Sequence, residues 1–416
     1  MNDPAVPSLE SRAVPVGDAF DLLAAYRPPL GFFFDRRGRG VAGTGVAPLM
    51  FGAANPGPTQ VMDALRSAAR PGHDVAPVAM GAYGFHRGGG RPPGLVIPGR
   101  AVRRDYRGRT WRVDTTYLGA RADDPPPFEP VVGGVPHEPF AQIQLHEVPS
   151  SEDYVEAVGA AVRRIRSDRM RKVVLARTIH VESARDLDPT LLAHRLRAVD
   201  PDAYTFAAPT EEGVLVGASP ELLVSRRGLE VRSNPLAGSA PRSGDKDEDR
   251  ANADALAGSA KDREEHAIVV DAVVETLRPF CADLTWDPEP VLRETPNVWH
   301  LSTSFRGVLR DPSSTALDLV AALHPTPAVA GEPREAALEA IAELEPFDRG
   351  RYAGPVGWVD ADGDGEWAIA LRCAELRGDQ AVLYAGAGIV ADSDPTRELD
   401  ETERKFRAFL DSLRWG

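Results

Sequence analysis

The sequence predicts an α+β fold built on a largely antiparallel sheet. Three observations carry this. Short apolar runs of strand length recur along the chain, some of them close enough to pair as hairpins. Segments with apolar residues at helical spacing lie between them, but not in the regular alternation of a βαβ repeat. The 43% hydrophobic fraction of 416 residues supplies an ample core, which rules out disorder over the whole length.

Taken in order, the first third is the less regular part. Gly31-Phe32-Phe33-Phe34 and Leu95-Val96-Ile97 read as strands, and the charged run Arg103–Arg107 as an edge or a solvated turn. Pro71 to Pro98, with Gly88-Gly89-Gly90 and Pro92-Pro93, reads as loop with short strands. Pro125 to Pro139 suits a linker or a loop over one domain equally well. Beyond it the pattern sharpens. Ser150 or Ser151 caps a helix with Val158, Val162 and Ile165 on one face. Lys172–Arg177 reads as a strand, followed by strands at Gly213–Ala218, Leu222–Ser225, Val356–Val359, Trp367–Arg372 and Ala381–Ala385. Helical spacing marks Arg263–Leu277, Thr315–Ala322, Glu335–Ala342 and Thr396–Leu413.

Composition narrows the function. The 48 Lys and Arg against 62 Asp and Glu leave a formal net charge of −14, so a basic footprint for nucleic acid or an anionic membrane is missing. Cys281 and Cys373 are too few for a disulfide framework or a Cys-rich zinc site. No secretory signal or membrane helix is legible, and the expectation is a soluble, reduced, cytoplasmic protein. Some motifs are set aside. Asp360–Gly365 resembles the start of a calcium loop, but Leu371 stands where the bidentate Glu belongs, so a hairpin turn is expected. Ser219 lacks the final glycine of a nucleophile elbow and reads as structural.

Two acidic pairs carry chemistry. Asp262 with Glu265, and Glu398 with Glu401, are spaced three apart on predicted helices, so each pair shares one face. Spacing alone favours two solvated faces. If the faces meet, they make an oxygen-rich site for a hard cation such as Mg2+. Lys172 heads an apolar strand, Glu221 interrupts an apolar region, and Arg372 ends the apolar run Ala368–Leu371. Gly386-Ala387-Gly388, read as following a strand, would let a ligand approach the backbone. Burial would lower the pKa of a lysine and raise that of a carboxylic acid, which makes a base and an acid at neutral pH.

Together these segments resemble the chorismate-utilising enzymes. The resemblance runs through Lys172–Arg177, Gly217–Glu221, Pro235–Ala240, Asp262–His266, Val298–Leu301 and His324–Pro333. It continues through Tyr352–Gly357, Ala370–Arg372, Tyr384–Ile389 and Glu398–Lys405, covering roughly residues 150–413. Residues 1–149 match weakly, as a divergent part of the same fold. The likeness is strongest to isochorismate synthases, because amine-transferring members have a small residue at the position of Lys172. Gly238-Ser239-Ala240 also departs from their Gly-Thr-Arg-Pro pattern, and the highly charged segment Ser243–Arg250, read as a loop, is a minor departure. Tyr352 and Leu371 also occur in salicylate synthases, so that activity, with pyruvate loss, is the alternative. A non-catalytic chorismate-binding partner subunit is a second.

The resemblance implies a single large domain over 1–416, two antiparallel sheets packed as a sandwich with helices outside, with Pro125–Pro139 as a surface loop. It implies a Mg2+-dependent isomerase acting on chorismate, whose product serves siderophore, salicylate or menaquinone biosynthesis, and a monomer, a weak dimer also being open. Lys172 is then the base and Glu221 the acid. Glu265 and Glu401 hold the metal, with Asp262 and Glu398 acting through water. Gly238, Ser239, His300, Ala328, Tyr352, Arg372, Gly386, Gly388 and Lys405 contact the substrate.

Overall fold

A computed structural model describes residues 9–17, 20–44, 49–50, 58–69, 75–85, 94–117 and 143–414. The Pro125–Pro139 stretch lies outside the described residues. Among the described residues every strand pairing is antiparallel, in a sheet of 12 strands, a sheet of nine, and a small sheet of three that the sequence did not suggest. Both large sheets draw strands from either side of residue 150. In the larger, Phe32–Arg36 pairs with Tyr204–Pro209; in the smaller, Val78–Ala82 pairs with Pro355–Asp360.

Alternation along the strands builds the core. Phe32 and Phe34 belong to the cluster that joins the two sheets, while Phe33 points to the opposite face of its sheet. That opposite face is covered by the helices Pro189–Val199 and Pro395–Leu413, which bury Leu192 and Leu196, and Phe406, Phe409, Leu410 and Leu413. Helix Ser151–Arg166 starts at Ser150, whose hydroxyl accepts from the Asp153 N–H, and it buries Val158, Val162 and Ile165 as the spacing requires. Helices Ala260–Leu277, Ala316–Leu323 and Arg334–Leu344 fall within about three residues of their expected bounds. Asp360–Gly365 is the expected hairpin turn, and the buried Ser219 hydroxyl accepts from the Glu221 N–H, a structural part.

Four local expectations need correction. The strand expected at Trp367–Arg372 ends at Ile369; the chain then crosses to the other sheet, where Cys373–Arg377 begins. Arg372 sits in that crossing with a left-handed backbone, φ 50°. Gly386 and Gly388 do not follow a strand but lie within Gln380–Ile389, paired with Lys172–Ser183. The charged segment from Ser243, expected as loop, becomes the helix Lys246–Gly258; only Ala253 and Leu256 of it are buried, so it shows no apolar stripe. Arg103 and Arg104 lie in an interior strand, Arg100–Arg104, and only the residues after them make the turn.

Candidate active site

The site forms where the two sheets hand the chain to one another. A cleft of about 610 Å3, including its open mouth, is lined by twelve of the predicted residues: Glu221, Gly238, Ser239, Glu265, His300, Ala328, Tyr352, Arg372, Gly386, Gly388, Glu401 and Lys405. That is the size of a small-molecule site. Lys172, Asp262 and Glu398 stand just behind the lining. Lys172 Nζ reaches Glu265 Oε1 at 3.0 Å. Glu398 accepts from Lys261 Nζ at 2.7 Å, and Asp262 backs onto Gly238.

The glycines are explained by what sits over them. Gly386 and Gly388 pair with Ala176 and Val174, and being two apart they present bare backbone to the same side. A Cβ on Gly388 would stand 2.1 Å from Glu265 Oε1 and 3.1 Å from Lys172 Cε. A Cβ on Gly386 would meet the Tyr352 hydroxyl at 3.1 Å. Gly238, at φ 75°, lies at the register shift where Leu236–Pro241 pairs with Val298–Ser302. Ser239 beside it donates to Glu401. Besides Arg372, Ala353 in the lining also adopts a left-handed backbone, φ 61°. Two such non-glycine residues in one cleft mark stored strain of the kind found at functional sites.

The acids behave differently according to their partners. Glu221 is buried between strands Val214–Ser219 and Leu222–Arg227, and desolvation pushes its carboxyl up to about 8, against a hydrogen bond from the Leu236 N–H. Burial would raise Glu401 likewise, but the Lys405 ammonium, 2.5 Å away, and the Ser239 hydroxyl hold it at about 2. Glu398 is pushed to about 7 by burial and then by Glu401, which together outweigh Lys261. Burial also raises Asp262, and the charges of Glu265 and Glu401 add to the effect.

The cationic side is equally specific. His300 Nδ1 donates to the Gly238 carbonyl at 3.3 Å, which leaves Nε2 to accept from Arg372 Nη2 at 3.2 Å. Burial, and then Arg372, hold this ring well below the ordinary histidine range, so it is neutral. Lys405 Nζ donates to the Gly386 carbonyl at 2.8 Å. Tyr352 stacks on Tyr384 with centroids 5.0 Å apart.

Among the described residues no three His, Cys, Asp or Glu side chains converge tightly enough to cage an ion. The donor set still suits Mg2+, which takes one or two carboxylates and leaves places for water and substrate. Glu265 and Glu401 line the same cleft, Asp262 feels the charge of both, and the bare backbone of Gly388 leaves room for the Glu265 carboxylate.

Residues 134–414 match the family model described as chorismate binding enzyme. The chain belongs to the chorismate binding enzyme family. Isochorismate synthase DhbC of Bacillus subtilis is 49% identical over 276 residues, covering 65% of this chain and 69% of that protein. Two solved structures superpose with a TM-score of 0.80. DhbC of Bacillus anthracis is 37% identical, with 95% of this chain and 99% of that one covered. MenF, the menaquinone-specific isochorismate synthase of Escherichia coli, is 25% identical, with 99% and 96% covered.

Within this family member, sequence reasoning missed three charged groups. Lys261 adjoins the quoted acidic motif, so its ammonium among the acids was within reach of the sequence. Arg349 was not. Its buried ion pair with Glu345 spans the Lys172 strand, Arg349 donating to the Val174 carbonyl and Glu345 accepting from the Ala176 N–H. Arg177 shows in the sequence only as the end of a strand; in the structure it is fully buried and tied to helix Pro395–Leu413.

Proposed function

We propose that this chain is an isochorismate synthase that uses Mg2+ to convert chorismate to isochorismate. The observation that carries the reading is Glu221: a buried carboxyl raised to about 8 in the wall of a cleft whose other acids are held among lysines. At neutral pH such a group is a proton donor. The proton taker is Lys172, whose Nζ lies just behind the cleft lining beside Glu265.

Water attacks C2 of the ring as Lys172 takes its proton. The ring double bonds shift, the C4–oxygen bond breaks, and Glu221 gives its proton to the departing hydroxyl, which leaves as water. Arg372 and Lys405 face the substrate carboxylates, and His300 orients Arg372 through Nε2. Ser239, Gly238, Gly386 and Gly388 offer a hydroxyl and close backbone; Tyr352 and Ala328 shape the wall. Glu265 and Glu401 would hold Mg2+, with Asp262 and Glu398 acting through water. When bound, the ion would supply the positive charge that a dianionic substrate needs in this acid-rich region.

We read residues 1–416 as one domain, since both sheets mix strands from its two parts. Among the described residues no helix is long and apolar enough to cross a membrane. Cys281 and Cys373 are buried and unpaired, which suits a reducing compartment, and we read the protein as a cytoplasmic monomer. Incubation with chorismate and Mg2+ tests the assignment: isochorismate accumulates without matching pyruvate. Unchanged chorismate overturns it, and equimolar pyruvate assigns the salicylate synthase reaction instead.

A further inference from the structure

Arg177 is fully buried, yet its guanidinium has three side-chain partners. Nε donates to Thr402 Oγ1 at 2.9 Å, Nη1 to Glu147 at 3.1 Å, and Nη2 to Glu403. It also packs against the rings of Tyr154 and Phe406, at 5.9 and 5.3 Å from their centroids. Thr402 and Glu403 belong to helix Pro395–Leu413, and Arg177 to the strand headed by Lys172. Thr402 directly follows Glu401. Glu398, Glu401, Thr402 and Lys405 recur at helical spacing and share one face. Arg177 therefore grips the helix at the turn that aims Glu401 and Lys405 into the cleft.

We propose that Arg177 is a positioning residue: it fixes the rotation of helix Pro395–Leu413 against the Lys172 strand, and so places Glu401 for the metal and Lys405 for the substrate. This rests on the reading of Glu401 as a metal ligand. A rigid fork is needed because the target is a rotation. One donor to Thr402 sets the height, and the donor to Glu403 sets the turn about the axis. Lysine, with a single mobile ammonium, cannot fix both.

The alternative is that Arg177 only adds stability. Arg103 provides the comparison. It too is largely buried and ion-paired, to Asp360 at 2.8 Å, and it lies over the Trp358 ring at 4.4 Å, but none of these residues lines the cleft. Arg177→Met, Arg177→Lys and Arg103→Met are compared with the parental protein in three measurements. Thermal unfolding reports stability, Mn2+ uptake without substrate is read by electron paramagnetic resonance, and KM for chorismate is determined.

Both Met variants lose stability. Arg177→Met alone weakens Mn2+ binding, by about ten-fold, and raises KM; Arg177→Lys recovers part of both. A folded Arg177→Met with parental Mn2+ affinity and KM overturns the proposal. If that variant does not fold, Glu403→Gln, which removes a half-exposed partner, must shift both values in the same direction, or the proposal fails. No Mn2+ uptake by the parental protein refutes the metal reading itself. The positioning of Lys405 is then judged on KM alone, and a KM unchanged in Arg177→Met refutes it.

Discussion

Glu221 and Glu401 are the same side chain in the same cleft, both withdrawn from water, and they end at opposite extremes. Glu221 lies at the crossing between the two sheets. Among the described residues no Lys or Arg pairs with it, and burial carries it to about 8. Glu401 lies on a helix with Lys405 one turn on, and it is held at about 2. Burial pushes both the same way; the partner decides the sign. The crossing therefore keeps a proton to give, while the helix keeps an anion that can meet a cation. The other acids near Glu401 also face lysines, Glu265 facing Lys172 and Glu398 facing Lys261, but at Glu398 burial and the Glu401 charge outweigh the lysine and the carboxyl is raised.

The largest break in this contrast comes from removing the proton at the crossing. Glu221→Gln keeps the shape and a hydrogen-bonding group but cannot protonate the leaving hydroxyl. Turnover falls by about 1,000-fold, while chorismate binding, followed by calorimetry, is retained. Loss of both together would show that Glu221 serves binding and not proton transfer.

Next comes the acidic region itself, reached through a residue with no charge. In Gly388→Ala the new Cβ stands where Glu265 Oε1 now is, 2.1 Å away. The carboxylate must move, and its contact with Lys172 moves with it. A displacement near 1 Å in a catalytic arrangement costs about 100-fold, so kcat/KM falls by that order while thermal stability changes little. Parental activity in this variant would mean that the Glu265–Lys172 placement is not needed.

Much of this contrast could be read before the fold was known, for a physical reason. A charge inside an apolar strand or beside a helix face is a local oddity, so Lys172, Glu221 and the two acidic pairs stood out. Their signs in the folded state could not be read, because they depend on what lies across the cleft. Arg372 was placed at the end of a strand, since nothing in Ala368–Leu371 shows where the chain leaves one sheet for the other. The helix from Lys246 was hidden because it buries only two side chains. The strands near residue 110 were missed because residues such as Arg112 and Asp114 break the apolar alternation; they pair with each other and with Arg100 instead.

A smaller effect, in stability, isolates the crossing from catalysis. The folded protein keeps the Glu221 proton up to about 8, whereas the unfolded chain releases it near 4.5. Between those values the folded state binds more proton, so this group's stabilising contribution is full below 4.5 and is lost as pH rises to 8. The slope is at most about 1.4 kcal/mol per pH unit. Gln has no such titration. Urea unfolding of Glu221→Gln at pH 5, 6 and 7 should therefore show the variant gaining on the parental protein at each step. Parallel curves would mean that Glu221 is ionised in the folded state.

The smallest change sharpens the account of the acidic region. Lys261 Nζ sits 2.7 Å from Glu398, and its pKa is raised, against burial, by Glu398, Glu265 and Asp262 together. Its ammonium thus occupies the field that a divalent cation would use. Removing a stabilising ion pair ordinarily weakens a site. Here the lysine competes with the ion, so Lys261→Met leaves more negative charge for it. The pair is partly exposed, which limits the gain to a few-fold. Mn2+ titration followed by electron paramagnetic resonance should show tighter binding in Lys261→Met, with the advantage shrinking as salt screens the field. Weaker binding in the variant would show that Lys261 holds Glu398 in place for the metal rather than standing in for it.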